Sequence, residues 1–257
     1  MRERQFRVHS LPMNVSEDEL AGSTVVVIDL LRASSTICQA LAAGAREVVP
    51  FVEVEATLAA AESAGRSDVV LGGERRGERI NGFDLGNSPS EYTPAAVGGR
   101  RVFITTTNGT RALYHARRAR RVIVGAFLNL SAVVASLGDE ASVDILCAGT
   151  DGGETREDVL AAGAFVRRIT EATERDWQLN DVARDACRAW DAVVATATAA
   201  GRSLNEQIAL ELRNTPGGRN LLDIGLDQDL VDCAQVDRLD VVPELDGRAW
   251  RICLPSG

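Results

Sequence analysis

Val102-Phe-Ile-Thr-Thr-Thr-Asn-Gly-Thr-Arg111 opens as an apolar run, breaks into three threonines and Asn-Gly, and leads into a helix-like segment, Arg111–Arg120. A strand that ends in hydroxyls and glycine just before a helix gathers side-chain donors and free backbone N–H groups at one point. The first N–H groups of a helix lack partners and carry the positive end of its dipole, so such a point suits a phosphate or another anion. Without a ligand the same residues would make only a capped turn. The arrangement also occurs upstream: Ser23–Leu31 (STVVVIDLL) is apolar on both faces and runs into Arg32-Ala-Ser-Ser-Thr36.

Around these two turns the chain alternates strand and helix patterns at similar spacings. Val26–Phe51 matches Val102–Phe127 with a one-residue shift near the second strand, and Asp29 falls opposite Thr105 or Thr106. The first run continues with a helix over Ile37–Ala43, a strand over Glu47–Phe51, a helix over Val54–Ser63 and a strand at Val69–Leu71. The second run gives strands in RVIVGAF and VDILCAG around the helix pattern LNLSAVVASLG. The predicted fold is α/β: two similar α/β/α halves with mainly parallel sheets and a cleft between them at the strand carboxyl ends. Residues 1–100 form the first half, including a Gly/Asn/Ser/Pro-rich loop over 75–97, and 101–257 the second, with a helical C-terminal region. A loop of that length is functional or disordered; Ile80, Phe83, Leu85 and Tyr92 within it argue for an ordered cover over a site. Arg4–Val8 is predicted as an edge strand. Helices are predicted over Thr155–Glu174, Asn180–Ala199 and Leu204–Leu212, with a break at Asn214–Gly218. Short helices near Asn220–Leu222 and Leu226–Val231 precede closing strands at Leu239–Pro243 and Ala249–Leu254.

The 257 residues carry a net charge of -9, which argues against nucleic acid as a partner. All 28 basic residues are arginine, so a P-loop lysine, a Schiff base and a catalytic lysine are excluded. Recognition of an anion falls to arginine, whose fork matches phosphate or sulfonate oxygens. The five cysteines, Cys38, Cys147, Cys187, Cys233 and Cys253, are widely spaced and form no C-x-x-C, hence no disulfide framework or zinc site. The N-terminal MRERQFRVHSLPMN lacks a signal-peptide core, and no apolar run reaches membrane-spanning length. The expectation is a cytoplasmic, reduced protein with no membrane partner; a homodimer is left open.

Several chemistries drop out. No cysteine has an arginine six positions later, Asp29 is followed by Leu30-Leu31 rather than by Asp-x-Asp spacing, and there is no G-x-S-x-G. With only His9 and His115, a histidine nucleophile or multi-histidine metal site is not expected; His115 reads as a surface or boundary residue. What remains are carboxylates at strand ends (Asp29, Glu74, Asp84) and at a helix start (Glu157, Asp158), two hydroxyl-rich turns and nearby arginines. Oxygen donors of this kind suit Mg2+, which takes one or two carboxylates plus phosphate oxygens and can assist phosphoester hydrolysis. A carboxylate ending a wholly apolar strand is costly unless used, which singles out Asp29. Acids at a helix start serve stability as readily as function.

The segments IDLLRASSTI (28–37), LGGERRGERINGFDLGNSPSEY (71–92), TTTNGTRAL (105–113), LCAGTDG (146–152), EDVLAAG (157–163), LLDIGLDQDLVDCAQVD (221–237) and VVP (241–243) carry a family resemblance. They run through nearly the whole chain in order, and the chain resembles the 2-phosphosulfolactate phosphatase family. The resemblance implies an α/β fold of two similar halves. It also implies a Mg2+-dependent hydrolase that converts 2-phospho-3-sulfolactate to 3-sulfolactate and phosphate, a step of coenzyme M synthesis. One departure is RASST where Arg-Ala-Thr-Ser-Thr would be expected, a change that keeps the hydroxyl.

The residue assignments come from the residues themselves. Asp29 and Glu74, with Asp158 completing the shell, are expected to hold Mg2+ directly or through water. Asp29, Arg32, Glu74 and Asn108 make up the catalytic group. Ser34, Ser35, Thr36, Thr106, Thr107, Gly109 and Thr110 in the two turns would cradle the phosphate, with Asn87 and Ser88 contributing from the loop. Arg75, Arg76 or Arg79 would meet a second anion, carboxylate or sulfonate. Water is the expected nucleophile, since no activated protein nucleophile is evident. The alternatives are a phosphatase for another small phosphorylated hydroxy acid and a non-catalytic protein that binds an anionic metabolite.

Overall fold

The computed structural model describes residues 4–172 and 176–255. Strand β1 (Arg4–His9) and the short helix α1 (Glu17–Leu20) precede β2 (Thr24–Ile28), which is buried at every position. Helix α2 (Ala33–Ala42), β3 (Glu47–Phe51), α3 (Val54–Ala64) and β4 (Val69–Arg75) complete a βαβαβ run. After the two-residue β5 (Glu78–Arg79) and α4 (Pro94–Val97), the run recurs. Its second copy is β6 (Arg101–Thr105), α5 (Gly109–His115), β7 (Arg121–Val124), α6 (Leu130–Ser136) and β8 (Ser142–Cys147). Helix α7 (Arg156–Ala172) and strand β9 (Trp177–Leu179) follow. Then come α8 (Asp181–Ala200), α9 (Leu204–Arg213), α10 (Pro216–Asp223) and α11 (Asp227–Cys233), and last the hairpin β10 (Glu244–Asp246) and β11 (Arg251–Cys253). The predicted helix Thr155–Glu174 is borne out as α7; Thr173 and Glu174 lie outside the described residues. Among the described residues no helix is long and apolar enough to cross a membrane.

The strands join one sheet in the order β5-β4-β6-β3-β11-β10-β7-β2-β8-β1-β9. Two blocks are parallel, β4-β6-β3 and β7-β2-β8-β1-β9. Between them the hairpin pairs antiparallel internally and on both flanks, so the blocks run in opposite directions. Each block contains a strand borrowed from the other repeat: β6 lies between β3 and β4, and β2 between β7 and β8. The registers match as well. Val102 faces Val48 and Val70, and its counterpart Val26 faces Ile123 and Ile145. A strand apolar on both faces is stable only as a central strand, and the exchange makes β2 and β6 central. The expected boundary at residues 100 and 101 therefore does not follow the sheet, because strands from either side of it interleave.

Other expectations shift for local reasons. β1 is not an edge, since β9 pairs along its outer side. The Pro-Gly-Gly taken as a break instead starts α10: Thr215 caps it, accepting from the Gly218 N–H at 3.0 Å, and Pro216 takes the first helical position, where its missing N–H costs nothing. Leu239–Pro243 is not a strand; the closing strand begins at Glu244. The loop at 75–97 is ordered as expected, with Phe83 and Tyr92 buried and the Tyr92 hydroxyl donating to the Gly86 carbonyl at 2.8 Å.

Two close approaches position the rest. Gly109 and Ala33, the first residues of the matching helices α5 and α2, touch: a Cβ on Gly109 would lie 2.5 Å from the Ala33 Cβ and 2.7 Å from Asp29 Oδ2. Gly163 of α7 meets the Ala186 carbonyl of α8, where a Cβ would overlap the oxygen. Gly163→Ala should force these helices apart. Overpacking costs about 1–3 kcal/mol, or a fall in melting temperature of roughly 2–10 °C for a chain of this size. Calorimetry checks this, and an unchanged Tm would mean the crossing has slack.

Candidate active site

A cleft of about 440 Å3 opens where the turns after β2, β4, β6 and β8 meet. Asp29, Arg32, Glu74, Arg76, Thr107, Asn108 and Asp151 line it, and Pro216, Gly217, Asn220 and Leu221 of α10 form one wall. Leu31 and Arg32 on one side match Thr107 and Asn108 on the other, each pair separated by the same 76 residues as Ala33 and Gly109. Matching hairpin tips also reach the cleft. Arg76-Gly77 has φ of 55° and 86°, and Asp151-Gly152 has φ of 51° and 76°, the left-handed pair that a two-residue turn requires.

Two buried acids face this space. Asp29 directly follows β2, and its Oδ1 accepts from the Ala33 N–H at 3.3 Å. Glu74 is held more tightly: Oε1 accepts from the Thr107 N–H at 2.7 Å, and Oε2 from the Gly77 N–H at 2.7 Å and the Thr107 hydroxyl at 3.2 Å. Burial first, and then the negative charge of Glu74, push the Asp29 carboxyl up to about 7. Behind them, Asp158 spends both oxygens on backbone amides, from Leu30 at 2.8 Å and Gly149 at 3.1 Å, and so braces the ends of β2 and β8. Burial and the Asp29 charge push its carboxyl well above the usual range. Glu157 is buried against Gly217, and burial raises it too. Among the described residues no group of three or more His, Cys, Asp or Glu side chains is gathered to hold a metal.

The remaining candidates divide sharply. The hydroxyls of Ser34, Ser35 and Thr36 donate to the carbonyls of Val27, Leu30 and Asn87, at 3.3, 2.9 and 2.7 Å, and do not line the cleft. Thr110 and Thr106 bond to each other, at 3.3 and 3.0 Å, as an internal cap. Gly109 serves close packing, while Thr107 and Asn108 reach the cleft. Arg75 turns back to the carbonyls of Glu74 and Val52 and the hydroxyl of Thr105. Arg76 lies in the cleft with no hydrogen bond or ion pair among the described residues. Arg79 lines a smaller neighbouring cavity of about 220 Å3 instead. Asn87 lines both cavities, with Oδ1 buried and without a hydrogen bond. Ser88 bonds to Arg32 and Asp229. Asp84 pairs with Arg66 at 3.0 Å and accepts from the Leu71 N–H, away from the cleft. His115 is half-buried and bonded to the Val15 carbonyl. Sequence reasoning missed Asp229, Thr150, Asp151 and the α10 wall. Thr-Pro before Gly-Gly was the available signal for α10; Thr150 and Asp151 lie in LCAGTDG and Asp229 in LLDIGLDQDLVDCAQVD, segments that carry the family resemblance but point to no role for these residues.

The fold is α/β, and its strand ends frame a cleft lined by acids and arginines. The family model for 2-phosphosulpholactate phosphatase matches residues 9–248, and the chain belongs to that family. A protein of Symbiobacterium thermophilum described as a probable 2-phosphosulfolactate phosphatase is 41% identical over 230 residues, covering 88% of this chain and 92% of its own. One from a Synechococcus species with the same description is 42% identical over 223 residues, covering 85% and 87%. A third, from Clostridium beijerinckii, is 35% identical over 237 residues, covering 91% and 94%.

The Asp29 carboxyl gives a prediction about pH. The folded chain keeps a proton there that the unfolded chain releases near pH 4. Without a cation, stability therefore falls as pH rises from about 4 to about 7. Asp29→Asn removes that penalty. In chelator at pH 8 the variant should be more stable than the parent by roughly 1–3 kcal/mol, and the two should converge below pH 4. Urea unfolding at the two pH values reads this, and parallel pH profiles would count against it.

Proposed function

We propose that this chain is a Mg2+-dependent phosphatase that hydrolyses 2-phospho-3-sulfolactate to 3-sulfolactate and phosphate, the reaction of coenzyme M synthesis, and that it works in the cytoplasm. The observation that carries the reading is the buried pair Asp29 and Glu74 in one cleft with Arg32, Arg76 and the Thr107–Asn108 turn. Two buried carboxylates repel an anion unless a cation stands between them, so the pair disfavours a simple anion sensor. The descriptions of the relatives support the substrate.

The donor set fits Mg2+. Hard oxygen ligands from one or two carboxylates are its usual protein share, the rest being water and substrate phosphate. Asp29 and Glu74 would hold it, with Asp158 supporting from behind rather than as a third ligand. When bound, Mg2+ would supply polarisation of the phosphoryl group. Glu74 is fixed for this by the amides of Thr107 and Gly77. Arg32 would neutralise phosphoryl charge from the side opposite Thr107 and Asn108. Arg76, unpaired at the rim, would take the sulfonate or carboxylate. Among the described residues no cysteine, histidine or serine lines the cleft. In the proposed step water would attack phosphorus, the P–O ester bond would break, and the ester oxygen, taking up a proton, would leave as the hydroxyl of the hydroxy acid.

Phosphate release from a panel of 2-phospho acids, with and without Mg2+, tests the reading. Release should require Mg2+ and be greatest in kcat/KM for 2-phospho-3-sulfolactate. Full activity in excess chelator would remove the metal, and a better substrate elsewhere in the panel would replace the named one. Arg76→Ala should raise KM for 2-phospho-3-sulfolactate about 10–100-fold, as loss of a charge-assisted pair does, with kcat changed only a few-fold. An unchanged KM would release Arg76 from that role.

A further inference from the structure

Arg32 reaches the cleft held by residues distant in sequence. Its side chain and that of Asp229 are each only 2% exposed. Nη1 donates to Asp229 Oδ2 at 2.5 Å and to Ser88 Oγ at 3.0 Å, and the Ser88 hydroxyl donates to the same Oδ2 at 2.7 Å. Nη2 donates to the Gly77 carbonyl at 2.6 Å. Three of the five guanidinium N–H donors are thus used. The Nε–H and the second Nη2–H make no hydrogen bond among the described residues, and Arg32 lines both the cleft and the smaller cavity beside it. An arginine side chain is long and rotamer-rich; partners on three sides select one orientation and leave a fixed pair of donors for a ligand.

We propose that Asp229, assisted by Ser88, is a positioning residue for phosphate recognition: it fixes the Arg32 guanidinium so that its unspent donors meet the phosphoryl oxygens. This rests on reading the cleft as a phosphatase site. The same ion pair seats α11, and through it α10, against the turn that carries Arg32. Gly77, whose carbonyl Arg32 grips, packs in turn on Asn220 and Ile224 at the end of α10. One buried pair therefore sets both the donor and the wall opposite it.

The test compares Asp229→Ala, Asp229→Asn, Ser88→Ala, Arg32→Ala and the double variant Arg32→Ala/Asp229→Ala in the full chain. The readouts are kcat and KM on 2-phospho-3-sulfolactate, inhibition by inorganic phosphate, and melting temperature. Asp229→Ala should weaken kcat/KM and phosphate inhibition about 10–100-fold, as loss of an orienting partner does around bound metals. Asp229→Asn, which keeps an acceptor for Nη1, should retain part of both, and Ser88→Ala should lose a few-fold in phosphate inhibition. Because Asp229 acts through Arg32, the double variant should be no less active than Arg32→Ala alone. Wild-type phosphate inhibition in Asp229→Ala would overturn the proposal. So would a further loss in the double variant, or a fall in Tm with the kinetics of the folded fraction unchanged. If Asp229→Ala does not fold, Asp229→Asn and Ser88→Ala decide on the same readouts. Full activity in Arg32→Ala would overturn the phosphatase-site reading of Arg32 and this proposal with it. An inactive Arg32→Ala beside a fully active Asp229→Ala would overturn the role of Asp229 alone.

Discussion

Helices α2 and α5 start against one another because residue 109 has no side chain, and the cleft is assembled around that contact. A Cβ at 109 would press on both the Ala33 methyl and the Asp29 carboxylate. With hydrogen there instead, Asp29 is buried at the junction of the two repeats and loses solvation, which raises its proton affinity. The contact also brings the turn after β6 within reach of Glu74, whose carboxylate takes the Thr107 amide. The strand exchange makes this geometry available. With β2 among the strands of the second repeat and β6 among those of the first, their carboxyl ends converge, although the blocks that contain them run in opposite directions.

Much of the fold was legible because its signals are local. β3 spans Glu47–Phe51 as predicted, and α3, α7, α8 and α9 lie within a residue or two of their periodic patterns. Strand order was not legible. Hydrophobic alternation says which faces a strand buries and nothing of which strand lies beside it, so the exchange left no mark beyond the repeat itself. β1 looked like an edge because its cover is the three-residue β9, too short to show a period.

At the site, legibility followed the cost of burial. Asp29 and Glu74 stood out because an acid closing an apolar strand needs a reason. Among Arg75, Arg76 and Arg79 the sequence had no means to choose. The hairpin decides: Arg75 stays on the strand and is consumed by carbonyls, while Arg76 takes the left-handed turn position and is delivered to the cleft. The hydroxyl run Ser34–Thr36, expected to cradle a phosphate, turns inward, away from the cleft. A buried helix start must satisfy its own polar groups, and the hydroxyls that suggested a phosphate cradle answer the carbonyls of Val27, Leu30 and Asn87. Asp229 lies in a segment that carries the family resemblance, but its pairing with Arg32, 197 residues away, is visible only in three dimensions.

A duplicated scaffold with matched turns would, if its side chains matched too, offer two equal half-sites to a ligand with two equal ends. The chain departs from that equality at each position that counts. Arg32 is matched by Asn108 and Leu31 by Thr107, and the tip that carries Arg76 is matched by one that carries Asp151. Asp29 stands opposite a threonine, so the first repeat concentrates charge and the second offers amides and hydroxyls. A phosphate ester of a sulfonated hydroxy acid carries three anionic groups, phosphoryl, sulfonate and carboxylate, and a phosphatase must hold the phosphoryl group, whose ester bond alone is to be broken, apart from the other two. Unequal halves would meet that need at the level of binding. On the proposed function, the acid pair and Arg32 would define where the phosphoryl group lies, Arg76 at the rim would take the sulfonate or carboxylate, and Asp151, which lines the same cleft, would disfavour an anion turned the wrong way round.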